Sequence, residues 1–428
     1  MFGFGAARGA RPANHKKTDP TMSSTVAAGA ASLFRHRSLL LFLSSRGLLR
    51  FASQIAAVAI GWQVYELTDS AFALGMIGLV QFLPAGILVF VAGHAADRFD
   101  RRRVMQACQL AEGLIAVFLA LGAYLGSLTV PQIFVATLAL GTLNAFEGPA
   151  TAALLPQVAP EGTLQRATAM SSGSAQLAII TGPALGGFAY ALAPSLAYGL
   201  MALFSFAAVI MSGAIRIARR LEIKNSASSS DLFAGARFVR RNPAILGTIS
   251  LDLFAVLFGG VTALLPIYAR DILQTGPLGL GFLRAAPAVG ALLMTTLLAR
   301  RTINRRVGMR MFQAVILFGI ATVVFALSHW MWLSVLSLAV LGAADTISVV
   351  IRLSLVQLST PDDMRGRVGA VNFLFVNASN QLGQFESGIA AALLGAVPAA
   401  VLGGVGTIVI ALLWMKLFPT LRDMERLE

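Results

Sequence analysis

The chain has 428 residues, of which 57% are hydrophobic and 12% charged, with a formal net charge of +14 and one cysteine. So few charges cannot cover the water-facing surface of soluble domains, where about a quarter of residues are charged, so most of the surface faces lipid. The basic residues form short clusters between apolar stretches, with no aromatic-basic face, which argues against a nucleic-acid partner. Cys108 lies alone in an apolar stretch, which excludes an intramolecular disulfide.

Residues 1–34 are polar and small, with no apolar core of the kind a secretory signal needs, and read as a cytoplasmic tail; Met22 offers a second start. Twelve apolar stretches follow, at 39–66, 72–92, 104–125, 131–154, 167–192, 195–215, 244–268, 277–299, 309–328, 330–353, 368–394 and 398–418. Each suffices for one membrane-spanning helix, which needs about 20 residues. The expected fold is all-α, with twelve transmembrane helices.

The cations alternate with the spans. Arg35 and Arg37 precede the first, and Arg98, Arg101, Arg102 and Arg103 follow the second. Arg166 follows the fourth, Arg216 to Arg241 the sixth, Arg300 to Arg306 the eighth, Arg365 and Arg367 the tenth, and Arg422 and Arg426 the twelfth. The opposite loops contain one cation, Arg270. The positive-inside rule therefore places both termini and every even-to-odd loop in the cytoplasm. Arg far outnumbers Lys, as in a GC-rich bacterial genome; the expected location is a bacterial inner membrane.

The polar stretch 216–243, with NSASSS at 225–230 and the amphipathic LFAGARFVRR at 232–241, divides six spans from six. It reads as a cytoplasmic linker with a surface helix at the headgroups. The expected organisation is a tail 1–34, a bundle 35–215, the linker 216–243, a second bundle 244–418 and a short tail 419–428. The bundles repeat one another. Gly78, Gln81 and Pro84 recur as Gly281, Arg284 and Pro287 at an offset of 203, and Gly141, Asn144 and Gly182 as Gly342, Asp345 and Gly383 at 201. Parallel six-helix repeats predict a binding site between the halves, near the bilayer midplane.

The loop after the second span reads GHAADRFDRRR, residues 93–103. Gly93, Asp97, Arg98, Arg101 and Arg102 match G-x-x-x-D-R-x-x-R-R, and on these residues, together with the repeat and topology, the chain resembles the major facilitator superfamily. The resemblance implies two pseudo-symmetric six-helix bundles and a cytoplasmic latch, made when this loop meets the start of the eleventh span, here RGRVG at 365–369. The second copy, ARRTINRR at 299–306, lacks the acid, so the implied latch is asymmetric. In the fifth span TGPALGG, with Gly182, Pro183, Gly186 and Gly187, resembles part of the Gly-Pro signature of facilitator antiporters. The arginine that many drug exporters carry in the fourth span is absent, and Gln132, Asn144 and Glu147 occur there instead. FRHRSLLLFLSSR at 34–46, VYELTDSAFALG at 64–75 and STPDDMRGRVGAVN at 359–372 are similar to the enterobactin exporters and related drug and metabolite exporters.

Ionised side chains inside a span cost about 2.5–3.5 kcal/mol each near the midplane on insertion scales, so they require a reason. Arg46, Arg50 and Gln54 recur every four residues on one face of the first span, continued by Ala57 and Gly61. Asp252 is the one acid of the seventh span. Asp345, Ser348 and Arg352 share a face of the tenth, and Asn377, Asn380, Gln381 and Gln384 a face of the eleventh. The resemblance implies that spans one, four, seven and ten line the cavity. Arg46, Arg50, Gln54, Asp252, Asp345, Asn377 and Gln381 are therefore the candidates for proton coupling and substrate binding, with Arg50 and Asp252 expected to face each other in at least one state. Glu112 of the third span reads as structural.

No Walker loop, metal-ligand spacing or nucleophile with a placed base occurs, so neither an enzyme nor a bound cofactor or metal is expected. The implied function is secondary active transport by alternating access: a proton-coupled exporter of a small amphipathic molecule, a siderophore or drug, acting as a monomer in lipid. An uptake carrier, a lipid flippase and a non-transporting membrane sensor are the alternatives.

Overall fold

The computed structural model describes residues 36–216, 229–300, 305–361 and 364–425. The tail 1–34 with Met22, Lys224 and residues 225–228 of the NSASSS stretch lie outside these residues. Helix is the only regular structure described. In lipid only helices and closed barrels satisfy every backbone polar group, and this chain takes the helical solution.

The first half comprises α1 (Arg37–Thr68), α2 (Ala71–Arg98), α3 (Arg101–Tyr124), α4 (Val130–Val158), α5 (Leu164–Leu192) and α6 (Pro194–Gly213). An amphipathic helix, α7 (Ser229–Arg241), leads into α8 (Pro243–Phe258), which continues through tight and wide turns to Ile272. Then come α9 (Gly276–Arg300), α10 (Val307–Leu327), α11 (Met331–Leu358), α12 (Arg365–Leu394) and α13 (Ala396–Leu417). Ten of these segments are long and apolar enough to cross a membrane. The two remaining long helices, α1 and α12, have 32 and 30 residues but are more polar. They carry the Arg46–Arg50–Gln54 stripe and the Asn/Gln stripe. Exposed leucine, isoleucine and valine, such as Ile210, Leu293, Leu336 and Val409, cover the outer faces as lipid contact requires.

Local chemistry sets several helix starts. The Ser70 side chain caps α2 by accepting from Ala73 N–H, and Asn242 caps α8 by accepting from Ile245 N–H. Asp100 caps α3, accepting from the N–H groups of Arg102 and Arg103. Gln132 reaches back to accept the Thr129 N–H at 2.9 Å, so it completes the start of α4 rather than offering a polar group to the bundle interior.

The repeat seen in the sequence reappears as repeated packing. In the first half α1 packs on α5 and α6, α3 on α4 and α6, and α2 on α4; in the second, α8 packs on α12 and α13, α10 on α11 and α13, and α9 on α11. A Cβ added at Gly141 would lie 2.7 Å from the Gln81 carbonyl oxygen, and one at Gly342 2.6 Å from Pro287 Cα. These glycines permit the same crossing twice, α2 with α4 and α9 with α11. α7 lies against α12, where a Cβ on Gly235 would come within 2.7 Å of the Arg367 carbonyl oxygen.

Candidate functional site

The halves meet along two seams, α2 against α12 and α5 against α9. Glycine brings both close. A Cβ on Gly75 would sit 2.9 Å from Gly388 Cα, and one on Gly78 2.9 Å from the Gln381 carbonyl oxygen. Across the other seam, a Cβ on Gly281 would sit 2.6 Å from the Pro183 carbonyl oxygen, and Gly187 abuts Pro277 and Gly281. The remaining motif glycines face α1: Gly182 lies against Gln54 and Gly186 against Ile55. The TGPALGG stretch is thus where α5 touches α1 on one side and α9 on the other. Gln176 of α5 donates to the Ala288 carbonyl oxygen nearby, at 3.4 Å.

These tight contacts lie toward the end of the molecule that holds Asp69 and Arg270. A polar cluster joins the halves there. Arg270 pairs with Asp69 at 2.7 Å, donates to the Tyr65 carbonyl oxygen at 3.2 Å, and places its guanidinium 5.3 Å from the centre of the Tyr65 ring. The Tyr65 hydroxyl donates to the Asp271 carboxylate. Arg270 and Asp271 belong to the wide turn Tyr268–Ile272, and they straddle Tyr65. Such turns recur at functional sites because they re-aim side chains that a regular helix would send elsewhere. The turn is reachable because α8 stops at Phe258, where Gly260 rests against Gly383 and Ser387 of α12.

From Arg50 onward, the polar face of α1 closes toward this end. Arg50 is exposed, Arg46, Gln54 and Ala57 are partly buried, and Gly61 is buried. A charged group exposed at mid-helix requires a water-filled space rather than lipid. Arg46 donates to Ser171 Oγ at 2.6 Å, and Glu147 of α4 sits within electrostatic range of both Arg46 and Arg50. Gln109 of α3 joins this cluster: it donates to Ser45 at 3.1 Å and to Glu147 at 3.5 Å, and accepts from Ser212 at 2.8 Å. Glu112, 6% exposed, lies beside Glu147.

In the second half, Asp252 of α8 pairs with Arg352 of α11, both almost fully buried. Asp252, Asp345 and Ser348 also line one small cavity with Phe318 and Val315. Asp252 therefore meets an arginine of its own bundle in this conformation, while Arg50 makes no ion pair or hydrogen bond among the described residues. The physical reason is reach: α8 and α11 touch directly, whereas α1 and α8 belong to opposite halves. The charge pattern is inverted between repeats. The first half places arginine on its first helix and the acid on its fourth; the second places the acid on its first helix and arginine on its fourth.

The remaining sequence candidates separate. Gln381 and Gln384 lie at the α2–α12 seam beside Gly78, with Gln381 Oε1 buried and unpartnered, while Asn377 is exposed. Of the loop after α2, Arg101 donates to the Ala153 carbonyl oxygen at 3.2 Å and Arg102 to that of Ile215 at 2.7 Å. Both tie the start of α3 to chain ends within its own half. Arg98 is exposed. Gly93 and Asp97 belong to α2, and their side-chain surroundings lie outside the described residues. Among the described residues no group of His, Cys, Asp and Glu is arranged to hold a metal. Arg284 of α9 is absent from the sequence candidates, although an arginine deep in an apolar span is a readable signal, because the family resemblance implies a cavity lined by the first, fourth, seventh and tenth spans.

The model of a family described as transmembrane secretion effectors matches residues 30–428. The enterobactin exporter EntS of Escherichia coli strain K12 is 24% identical over 387 residues, covering 89% of this chain and 92% of that protein. The EntS of Shigella dysenteriae serotype 1 matches to the same extent. Among solved structures, a bacterial homologue of the human lysosomal transporter Spinster, inward-facing and unoccupied, superposes with a TM-score of 0.72 at 13% identity, over 90% of this chain and 98% of that one. The nucleoside transporter NupG superposes with a TM-score of 0.67 at 17% identity, over 89% and 99%.

Proposed function

The chain belongs to the transmembrane secretion effector family, a family of major facilitator transporters, and on that premise we propose that it exports a small amphipathic molecule by proton-coupled alternating access. α1 and α12 complete a set of twelve spans, and both termini face the cytoplasm. The observation that carries this reading is the pair of glycine-lined seams with a charged, partly water-exposed stripe between them. Two rigid halves that touch at one end and enclose ionisable groups are the parts a rocking carrier needs. With the cation-rich loops in the cytoplasm, the Asp69–Arg270 end is external, and this conformation is closed outside.

The coupling and substrate groups are Arg46, Arg50, Gln54, Asp252, Asp345, Asn377 and Gln381, with Gly93, Asp97, Arg98, Arg101 and Arg102 forming the inner latch. Protonation of Asp252 frees Arg352, or Arg50 in another state, to hold an anionic group of the cargo. The similarity to enterobactin exporters supports a siderophore-like cargo. The test is uptake of a siderophore into everted membrane vesicles with and without a proton gradient. Gradient-dependent accumulation supports the proposal; accumulation unaffected by collapsing the gradient removes proton coupling, and no accumulation removes the siderophore.

A further inference from the structure

Arg284 lies eight residues into α9, about 12 Å from its start at 1.5 Å per residue. It points across the boundary between the halves: a Cβ on Gly61 of α1 would sit 3.6 Å from its Nη2 and 3.6 Å from Pro266 Cγ. Tyr65, the centre of the polar cluster described above, is one turn further along α1. Arg284 therefore stands directly beneath the closed end.

Its surroundings do not satisfy it. Nε is sealed from solvent and has no hydrogen-bond partner. No ion pair to Arg284 occurs among the described residues, whereas Arg352 has Asp252, Arg270 has Asp69, and Arg46 has Ser171 with Glu147 in range. The residue as a whole is only partly buried, and Nη2 is the atom it turns toward Gly61 of the other half. An unpaired guanidinium at this depth is costly. A fold that keeps one there, beside a glycine and a proline rather than an acid, leaves its charge for an anion to complete. Guanidinium is also the side chain best shaped to hold two oxygens of one planar group.

We propose that Arg284 is an anion-binding residue at the closed end of the central cavity, taking an oxyanion group of the carboxylate, catecholate or phosphate kind. The shared chemistry is a negatively charged oxygen pair on a body apolar enough to lie against Gly61 and Pro266. It comes either from a soluble amphipathic cargo or from an anionic lipid headgroup. The cargo version rests on the transport reading given above; the binding site itself does not.

The test uses the full chain in phosphatidylcholine nanodiscs. In one arm 2,3-dihydroxybenzoate is titrated by calorimetry; in the other, phosphatidylglycerol is mixed into the disc and the melting temperature is followed. Losing charge-assisted hydrogen bonds weakens binding by roughly tenfold or more, so Arg284→Gln is expected to lose the calorimetric signal and Arg284→Lys to keep part of it. Arginine-dependent stabilisation by phosphatidylglycerol alone assigns the site to a headgroup and also supports the proposal. Arg284→Gln without any ligand is expected to melt no lower than the parent chain, since it removes an uncompensated charge. A lower melting temperature means that the arginine serves packing and overturns the proposal, as does equal binding by parent and variant, or no binding in either arm. Accumulation in everted vesicles is read separately: if it fails while binding holds, only the transport reading falls.

Discussion

Replacing Arg270 by glutamine removes the most direct polar tie between the halves. Three contributions disappear together. The pair with Asp69 involves side chains 35% and 72% exposed, so solvent screening holds it to about 0.2–1 kcal/mol. The cation over the Tyr65 ring contributes about 0.5–1 kcal/mol at an exposed site. The bond to the Tyr65 carbonyl oxygen, at 3.2 Å, adds about 0.5–1 kcal/mol, and shares its partner with the ring contact. A total of about 1–2 kcal/mol, lost from the closed state alone, raises the ratio of open to closed molecules at this end roughly 5- to 30-fold. Spin labels on Ser127→Cys and His329→Cys, in a Cys108→Ala background, sit on exposed loops of opposite halves at this end. Double electron–electron resonance should show a longer distance gaining population in Arg270→Gln. Tyr65→Phe keeps the ring but loses the bond to Asp271, so it should show a smaller shift. If both variants reproduce the parent distribution, the cluster does not hold the halves together, and packing at the glycine seams alone closes this end.

Asp252→Asn leaves Arg352 buried beside a neutral partner and is expected to cost about 3–5 kcal/mol, while Asp252→Asn combined with Arg352→Met recovers most of that; a thermal melt in detergent checks both, and equal melts for single and double variants contradict the pairing. In the everted-vesicle assay Asp252→Asn should also lose the pH dependence of uptake; an unchanged pH profile moves the coupling role to Glu147 or Asp345. Gly75→Leu or Gly281→Leu places bulk where a Cβ alone would lie 2.9 or 2.6 Å from the facing backbone, so either should widen the same spin-label distance, and no widening means that the seams have slack. Asp97→Asn is expected to insert normally but to turn over slowly, and turnover equal to the parent chain would reduce the GHAADRFDRRR loop to a topology signal. Cysteine at Lys224 should resist a membrane-impermeant maleimide in intact cells, and labelling there reverses the assigned orientation.

Much of the architecture was legible because lipid leaves few choices. Long apolar runs must be helices, and cations recur between them, so the order of the helices and the two-fold repeat could be read from Arg101–Arg103, Arg305–Arg306 and the recurrent glycines. The glycines even named the crossings, since Gly141 and Gly342 occur in register and both prove to admit a neighbouring backbone. Arg270 stood out as the one cation on the wrong side of the pattern, but nothing in the sequence linked it to Tyr65 and Asp69, some two hundred positions earlier. Asp252 and Arg50 were matched by depth along the repeat, and depth is all that an offset conveys. Which helix faces which depends on how each bundle rotates and on where α8 breaks at its glycines. That rotation gave Asp252 to Arg352, left Arg284 facing Gly61 with no acidic partner among the described residues, and spent Gln132 on a helix start. Sequence determines which segments enter the membrane, because transfer from water to lipid acts on each segment separately; the pairing of buried charges is decided only in the tertiary structure, because electrostatic partners are chosen by proximity in space.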